Sequence, residues 1–485
     1  MKQLAIAITG IALLAGCTVG PKYQRPVAPA PEAWSSEGPW RAAAPKDALP
    51  KGAWWEVFHD DQLNQYEQQL LAANQSLAAA QDRLNQARSL ARVASAGLFP
   101  SMSADPSVAG TRYSGNRPGS PTPETPLTQS IYQIPFALNY EVDLFGRVRK
   151  TLEAANANLQ STAADLQNVQ LVLTAELAAD YFSLRELDAE IQVVQDSISI
   201  EQKGLDLVNN RHEGGLASGL DLAQQQTILD ATTTQLYLVQ QQRATFEHAI
   251  AVLTGNPASA FKVMVAPLNT TPPPVPLGVP SDMLERRPDV ASAERTMARQ
   301  NALVGVARTA FYPQFTISGG GGFQSISIGS LITAPSAFWS VGGDLLQPIF
   351  NGGRNRATLA ATQSAYDESV ANYRQSVLIA FQQVEDGLSS LSALSQASAS
   401  QSATVNSARR SLELSNNRYV GGVASYLDVV TAQVALLNSQ RLATQLLGQQ
   451  MVTSVYLVKA LGGAWDASAI QNDVVRPKAI QTVQP

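Results

Sequence analysis

The chain has 485 residues, of which 45% are hydrophobic and only 15% charged, with a formal net charge of -5. That length allows several domains, and low charge with abundant Gln, Asn, Ser and Thr points to a surface facing a membrane, other subunits or an enclosed lumen. The acidic balance excludes a global basic footprint, and with it nucleic acid as a partner.

Residues 1–16 read as a signal peptide: Lys2 supplies the positive end, Leu4 to Leu14 a short apolar stretch, and Leu14-Ala15-Gly16-Cys17 the small-residue cleavage site. The stretch is too short to span a membrane. Leu14 to Cys17 resemble a bacterial lipobox, in which the chain is cut before the cysteine and that cysteine is lipidated. The resemblance implies an N-acyl and S-diacylglycerol lipid on Cys17, and Thr18 in place of Asp implies delivery to the outer membrane. Each acyl methylene buried would add about 0.8 kcal/mol to the anchor. The alternative is an ordinary signal peptide with an incidental cysteine. Cys17 is the only cysteine, so no intrachain disulfide can form.

Residues 17–58 are Pro- and Ala-rich without periodicity and predict an extended strap. Trp34, Trp40, Trp54 and Trp55 either staple it to the body or sit at the bilayer interface. The first structural repeat, 59–257, opens with a helical pattern from Asp60 to Gly97 that stops at Phe99-Pro100. A Gly/Pro/Ser loop follows at 115–126, and from Tyr132 to Asp143 apolar and mostly polar residues alternate, as in a membrane strand with lipid on one side and water on the other. A soluble sandwich strand has the same pattern. From about Arg149 to Asn210, Leu152, Leu159, Leu166 and Leu173, then Leu184, Ile191, Ile198 and Leu205, recur every seven residues about one stutter, which predicts coiled-coil packing in a rod of roughly 90 Å. A return helix runs from Leu220 to Leu253 and stops at Thr254-Gly255-Asn256-Pro257.

Residues 258–280 read as a linker, and the plan then repeats over 281–463. Met283 to Ala310 is helical, Phe315 to Ile328 and Phe338 to Leu346 read as strands, and Val370, Val377, Val384 and Leu391 carry the heptads of a second rod. Residues 464–485 form a tail.

The rods end in a stretch that occurs twice at an offset of 207 residues, with Arg211, Gly214, Gly215 and Asp221 matching Arg418, Gly421, Gly422 and Asp428. Gly-Gly closes one helix, and Ser218 or Ser425 is placed to cap the next, so each copy is the tip of a helical hairpin. Asp221 and Asp428 fall in the first helical turn, where the macrodipole favours a carboxylate. Capping alone accounts for them; a role in a pore is the other reading.

Two strands in each half make four per chain, too few to close a barrel, and an open edge in lipid leaves backbone groups unpaired at several kcal/mol each. Several copies must therefore share a barrel; three would give twelve strands and a lumen. The fold class is a mixed α and β membrane protein with an internal two-fold repeat.

The lipobox, the repeat, Leu284-Glu285-Arg286-Arg287-Pro288-Asp289-Val290 and the Arg-Tyr-x-x-Gly-x-x-x-Tyr-Leu-Asp tip from Arg418 to Asp428 resemble the outer membrane factor (TolC-like) family, in particular its OprM-like lipoprotein branch in multidrug efflux. The resemblance covers the chain from Leu14 to Gly463. It implies a homotrimer with a twelve-stranded outer-membrane barrel continuous with a periplasmic helical tunnel, closed at its tip by coiled helical pairs. It further implies docking to a periplasmic adaptor protein and an inner membrane RND-type pump, with the chain as a passive exit duct for drugs or other small toxic molecules. In the TolC group a tyrosine matching Tyr419 hydrogen-bonds the aspartate matching Asp221, and Asp428 matches an acidic ring at the constriction, here beside Leu427. Three symmetry-related carboxylates would raise one another's pKa and attract cations. Ala424 stands where that group has an arginine and Thr431 where it has a second acidic ring.

An enzyme reading finds little. His59, His212 and His248 lack metal-ligand spacing, no nucleophile motif is present, and Gly319 to Gly322 do not open a helix in a phosphate-binding unit. Neither a metal nor any cofactor beyond the lipid is expected. A type I protein-secretion duct and a lipid-anchored coiled-coil spacer are the remaining alternatives; the spacer leaves the strands unexplained.

Overall fold

The computed structural model of the chain describes residues 18–26, 41–42, 53–112, 114, 128–273, 276–277 and 287–463. The predicted signal peptide, Cys17, Trp34, Trp40, the loop at 115–126, residues 283–286 and the tail from 464 lie outside the described residues.

Among the described residues the helices are α1 (Asp61–Ala73), α2 (Gln75–Ala96), α3 (Arg147–Glu213), α4 (Gly219–Leu253), α5 (Pro288–Thr309), α6 (Arg354–Val420) and α7 (Tyr426–Ala460). Both α3 and α6 hold 67 residues, and both α4 and α7 hold 35. At about 1.5 Å per residue the longer pair are rods of roughly 100 Å. The heptads face inward: Leu152, Leu159, Leu166 and Leu184 are buried on α3, as are Val377 and Val384 on α6. None of these helices is long and apolar enough to cross a membrane.

The helix expected to run unbroken from Asp60 is broken at Asn74. Its backbone is extended (φ -68°, ψ 123°), its Oδ1 accepts from Leu77 N at 3.0 Å, and its Nδ2 donates to the Leu253 carbonyl at 2.9 Å. Asparagine caps the new helix and satisfies an orphan carbonyl at the end of α4, which outweighs continuity. The helix expected from Met283 is described from Pro288, with Arg287 as the extended residue before it. Proline at the first helical position sacrifices no hydrogen bond. Buried Arg287 holds the Asp289 carboxylate (3.0 and 2.6 Å) and donates to the Ala460 carbonyl at 2.9 Å, placing a cation at the end of α7.

Among the described residues the strands of the large sheet are β1 (Ser101–Ala104), β2 (Ser107–Arg112), β3 (Thr128–Val142), β4 (Gln314–Ser325) and β5 (Ala337–Leu346). Both β1 and β2 pair antiparallel with β3, β3 with β4, and β4 with β5. The sheet is thus four strands wide, its first strand interrupted at Asp105-Pro106, where proline has no N–H for the ladder. Gly319 to Gly322 belong to β4, opposite Pro135 to Leu138. A Cβ at Gly322 would lie 2.0 Å from the Ile134 carbonyl oxygen, so glycine is required there. Met102, Val108, Phe136, Trp339 and Val341 are exposed on this sheet, Trp339 at 81%.

Sheet and rods meet at paired glycines, Gly146 (φ 86°) and Gly353 (φ 85°), which precede α3 and α6. Asp143 accepts from Val148 N at 3.1 Å and Arg149 N at 2.9 Å, capping α3 with a carboxylate. The main core is a belt around the middle of the rods. There Trp54 and Trp55 pack with Leu63 and Leu70 of α1, Leu177 to Leu184 of α3, Met297 of α5, Tyr373 to Leu388 of α6 and Met451 to Ala460 of α7. Trp54 also donates to Thr174 Oγ1 at 3.1 Å, so these two tryptophans staple the segment to the body.

Residues 18–26 run from the junction toward the core belt. Val19 N donates to the Phe145 carbonyl at 3.1 Å, Asn301 Nδ2 to the Pro21 carbonyl at 3.2 Å, Tyr23 Oη to Glu294, and Arg25 Nε to Tyr373 Oη at 3.1 Å. After α4 the segment read as a linker is fastened rather than free. Arg243 binds Asp188 (2.6 Å) and the Val263 carbonyl (2.9 Å), and Asp188 accepts from Ala266 N at 3.0 Å. Burial opposes the charge of Glu247, but Lys262 and Arg243 overcome it and hold the carboxyl down at about 2.

Candidate functional site at the helical tips

The duplicated stretches close both hairpins in the same way. At the first, Leu216 N reaches the Arg211 carbonyl (2.7 Å) and Gly215 N the His212 carbonyl (2.9 Å); at the second, Val423 N reaches Arg418 and Gly422 N reaches Tyr419, both at 3.0 Å. These are Schellman closures, and Gly215 (φ 70°) and Gly422 (φ 72°) hold the left-handed position they need. Gly214 and Gly421, with φ of -79° and -73°, end the helices ahead of them.

The restarts differ. Ser218 accepts from Asp221 N (3.2 Å) while the Asp221 carboxylate accepts from Ser218 N (3.0 Å), a reciprocal capping box. Ser425 holds the equivalent position, but its side chain makes no capping bond; Asp428 N donates instead to the Ser425 carbonyl at 3.2 Å. Asp221 is therefore committed to its own helix. Asp428 is exposed, as is its neighbour Leu427 at 52%. Thr431 turns back to the Leu427 carbonyl at 2.8 Å.

Between the hairpins Val208, Tyr419, Tyr426 and Val429 form a small buried cluster. The expected hydrogen bond from Tyr419 to Asp221 is not made within the chain: the Tyr419 hydroxyl is buried with no partner, while one oxygen of the carboxylate accepts from Ser218 N in the capping box. Tyr419 instead packs edge-on against Tyr426, with ring centroids 4.8 Å apart, and lies under the Arg211 guanidinium at 4.9 Å. Burial, then the nearby Asp221 charge, push its hydroxyl above the usual range, while Arg211 pulls it back. Arg211 also reaches the Val420 carbonyl at 3.4 Å. Arg418 and His212 are exposed, and the His212 ring Nδ1 lies 2.9 Å from the Ala217 carbonyl.

Two polar contacts of 2.7 Å join the hairpins, Arg441 to Glu190 farther up the rods and, near the tips, one between residues that pattern reading passed over. Tyr426 Oη donates to Gln225 Oε1 at 2.7 Å, and Gln225 Nε2 donates to the Glu201 carbonyl at 2.7 Å, all buried. Tyr426 was visible as the second tyrosine of the tip motif; Gln225 sits among the glutamines of α4 and carries no sequence signal.

Comparison with known proteins agrees with this architecture. The family described as "Outer membrane efflux protein" matches residues 67–256 and 279–463. The solvent efflux pump outer membrane protein SrpC of Pseudomonas putida is 31% identical over 475 residues, 96% of this chain and 100% of its own length. The pyoverdine export outer membrane protein OpmQ of Pseudomonas aeruginosa is also 31% identical, over 96% of this chain and 98% of its own. Among solved structures, the outer-membrane channel OprN superposes with a TM-score of 0.85 at 27% identity, covering 92% of this chain and 99% of its own. The Campylobacter jejuni CmeC outer membrane channel gives 0.86 at 23% identity, covering 94% and 98%, and shares the fold.

Proposed function

The chain belongs to the outer membrane efflux protein family, and from that premise we propose that it works as a homotrimeric exit duct whose passage is governed at the helical tips. It is the outer membrane channel of an efflux system and extends into the periplasm. The observation that carries the trimer is the sheet. Both of its outer strands have an unpaired side in one chain, and its apolar residues are exposed. The exposed apolar residues suit lipid, but unpaired strand edges are not tolerated there, and three copies placed edge to edge close a barrel of about twelve strands with a lumen. The rods then line a tunnel about 100 Å long.

In this reading the duct catalyses no reaction; a periplasmic adaptor and an inner membrane RND-type pump drive substrate into the tips. Solvent and pyoverdine relatives at equal identity argue that the pump selects cargo, and small toxic molecules are the class we assign. A lipid on Cys17 supplements the barrel, because Thr18 packs against Gly146 at the junction of sheet and rods. The exposed, uncapped Asp428 is the carboxylate we place at the constriction, one from each copy.

Single-channel recording of the full protein in planar bilayers tests the reading. Wild type is expected to give small cation-selective steps, and Asp428→Asn to lose selectivity at similar conductance. Protein that is inserted yet passes no current would overturn the duct.

A further inference from the structure

Tyr426, Gln225, Glu201, Thr232 and Gly204 form one buried unit that the gate described above does not use. Tyr426 is the first residue of α7, Gln225 and Thr232 lie on α4, and Glu201 and Gly204 on α3. The Tyr426 hydroxyl donates to Gln225 Oε1 at 2.7 Å, the Gln225 amide passes the link to the Glu201 carbonyl at 2.7 Å, and Thr232 Oγ1 donates to Glu201 Oε1 at 3.1 Å. Gln225 and Glu201 are 0% and 1% exposed, and Tyr426 is 2% exposed. Space for the junction is made by Gly204, where a Cβ would stand 3.1 Å from both Gln225 Nε2 and Tyr426 Oη.

The duplication shows that this unit is not a generic feature of the helical pattern. At the 207-residue offset, Glu201, Gly204 and Gln225 correspond to Ala408, Ser411 and Ala432, and Tyr426 corresponds to Gly219. Every polar member but Thr232, which becomes Ser439, is lost in the other copy. One of two pseudo-equivalent seams has thus been fitted with the Tyr-Gln-Glu link, and the other has only alanine, serine and glycine at those positions.

We infer that the Tyr426–Gln225 hydrogen bond, seated by Gly204 and anchored on Glu201, is the latch that holds the second hairpin's returning helix against the first hairpin in the closed tip. The inference rests on the gated-duct reading. Moving α7 away from α3 and α4 must break a buried bond and strand the Gln225 acceptor in an apolar seam. Among the described residues the other hydrogen bond between the hairpins at this end is the 3.4 Å contact of Arg211 with the Val420 carbonyl, too long to substitute. Tyr419, buried beside the latch with an unpartnered hydroxyl, contributes its ring alone.

The test compares the open-time fraction of wild type, Tyr426→Phe, Gly204→Ala and Tyr419→Phe as full-length protein in planar bilayers, with thermal melting as the check on folding. Phenylalanine keeps the ring and its packing, so Tyr426→Phe removes only the donor. A net hydrogen bond of ordinary strength corresponds to about a fivefold rise in the open fraction per latch at unchanged unit conductance. Gly204→Ala is expected to shift gating in the same direction without deleting any polar group, and Tyr419→Phe to leave it as in wild type. Adding Gln225→Leu to Tyr426→Phe is expected to open the tip little further, since both remove the same bond between the hairpins and the Gln225 bond to the Glu201 carbonyl lies within the first hairpin. Conducting wild type with an equal open fraction in Tyr426→Phe overturns the latch and leaves the duct standing. Silence from every inserted variant overturns the duct, and the latch with it.

Discussion

Arg211 on the first hairpin covers the ring of Tyr419 on the second, with its guanidinium carbon 4.9 Å from the ring centroid. Within the chain the pairing is one-sided, because Arg418 is exposed at the equivalent place and His212 stands where the second tip has Tyr419. A cation over an aromatic face contributes about 0.5 to 2 kcal/mol as it becomes desolvated. Arg211→Gln is therefore expected to speed amide exchange at both tips by several-fold, while Arg418→Gln changes it little. Hydrogen exchange on the full-length protein distinguishes the two, and equal effects would remove the assigned asymmetry.

Glu201 gives the tip a pH dependence whose sign can be worked out. Burial pushes its carboxyl up from 4.5 to about 7, against the Thr232 hydrogen bond, which pulls it down. The neighbouring Tyr426 hydroxyl is itself raised, first by burial, and stays neutral over this range. Between about 4.5 and 7 the folded chain keeps a proton that the unfolded chain releases, so this carboxyl's contribution to stability falls as pH rises and levels off above about 7. Glu201→Gln, which cannot ionise, is expected to melt like wild type at about pH 4 and above it at about pH 8. A difference in melting temperature that does not grow with pH would show that Glu201 is not the titrating group.

Much of this was readable because it depends on period and punctuation. Gly-Gly pairs forced both Schellman closures, the leucine and valine heptads set the buried faces of α3 and α6, and alternation from Tyr132 to Val142 located β3. The first strand was not located, because the alternation in Ser-Met-Ser-Ala-Asp is short, rests on one large apolar residue and is cut by Pro106. At the tips the family resemblance implied a bond from Tyr419 to Asp221, but which acceptor a hydroxyl finds depends on placement within about 3 Å. Within the chain that hydroxyl has no partner, and Asp221 accepts from Ser218 N. The Tyr426–Gln225 link pairs residues 201 positions apart, a relation no local pattern carries.

Asn74 provides a test of the break between α1 and α2. Its Oδ1 caps α2 through Leu77 N and its Nδ2 satisfies the buried Leu253 carbonyl. Asn74→Ala removes both and is expected to cost about 1 to 3 kcal/mol. Asn74→Asp keeps the cap but sets a carboxylate against that carbonyl, and is expected to be no better than alanine. Denaturant midpoints of the three proteins decide it; an alanine variant as stable as wild type would mean that the neighbouring helices, and not Asn74, impose the break.

The strap ties the proposed lipid to the body at a place that small residues define. Gly20 has φ 133°, and a Cβ there would lie 2.8 Å from the Gly305 Cα, so two backbones touch with no room for a side chain. Thr18 rests on Gly146, the residue that precedes α3. Gly20→Ala is expected to release this docking and make the segment around residues 18–26 more susceptible to protease, while fatty-acid labelling of the chain persists. Cys17→Ala is expected to abolish labelling yet leave the protein in the outer membrane, because the sheet alone satisfies the backbone in lipid once closed. Metabolic labelling with a palmitate analogue and fractionation of membranes report the two outcomes separately. Labelling that survives Cys17→Ala would place the lipid elsewhere, and loss of the protein from the outer membrane would make the anchor, rather than the barrel, the element that fixes its location.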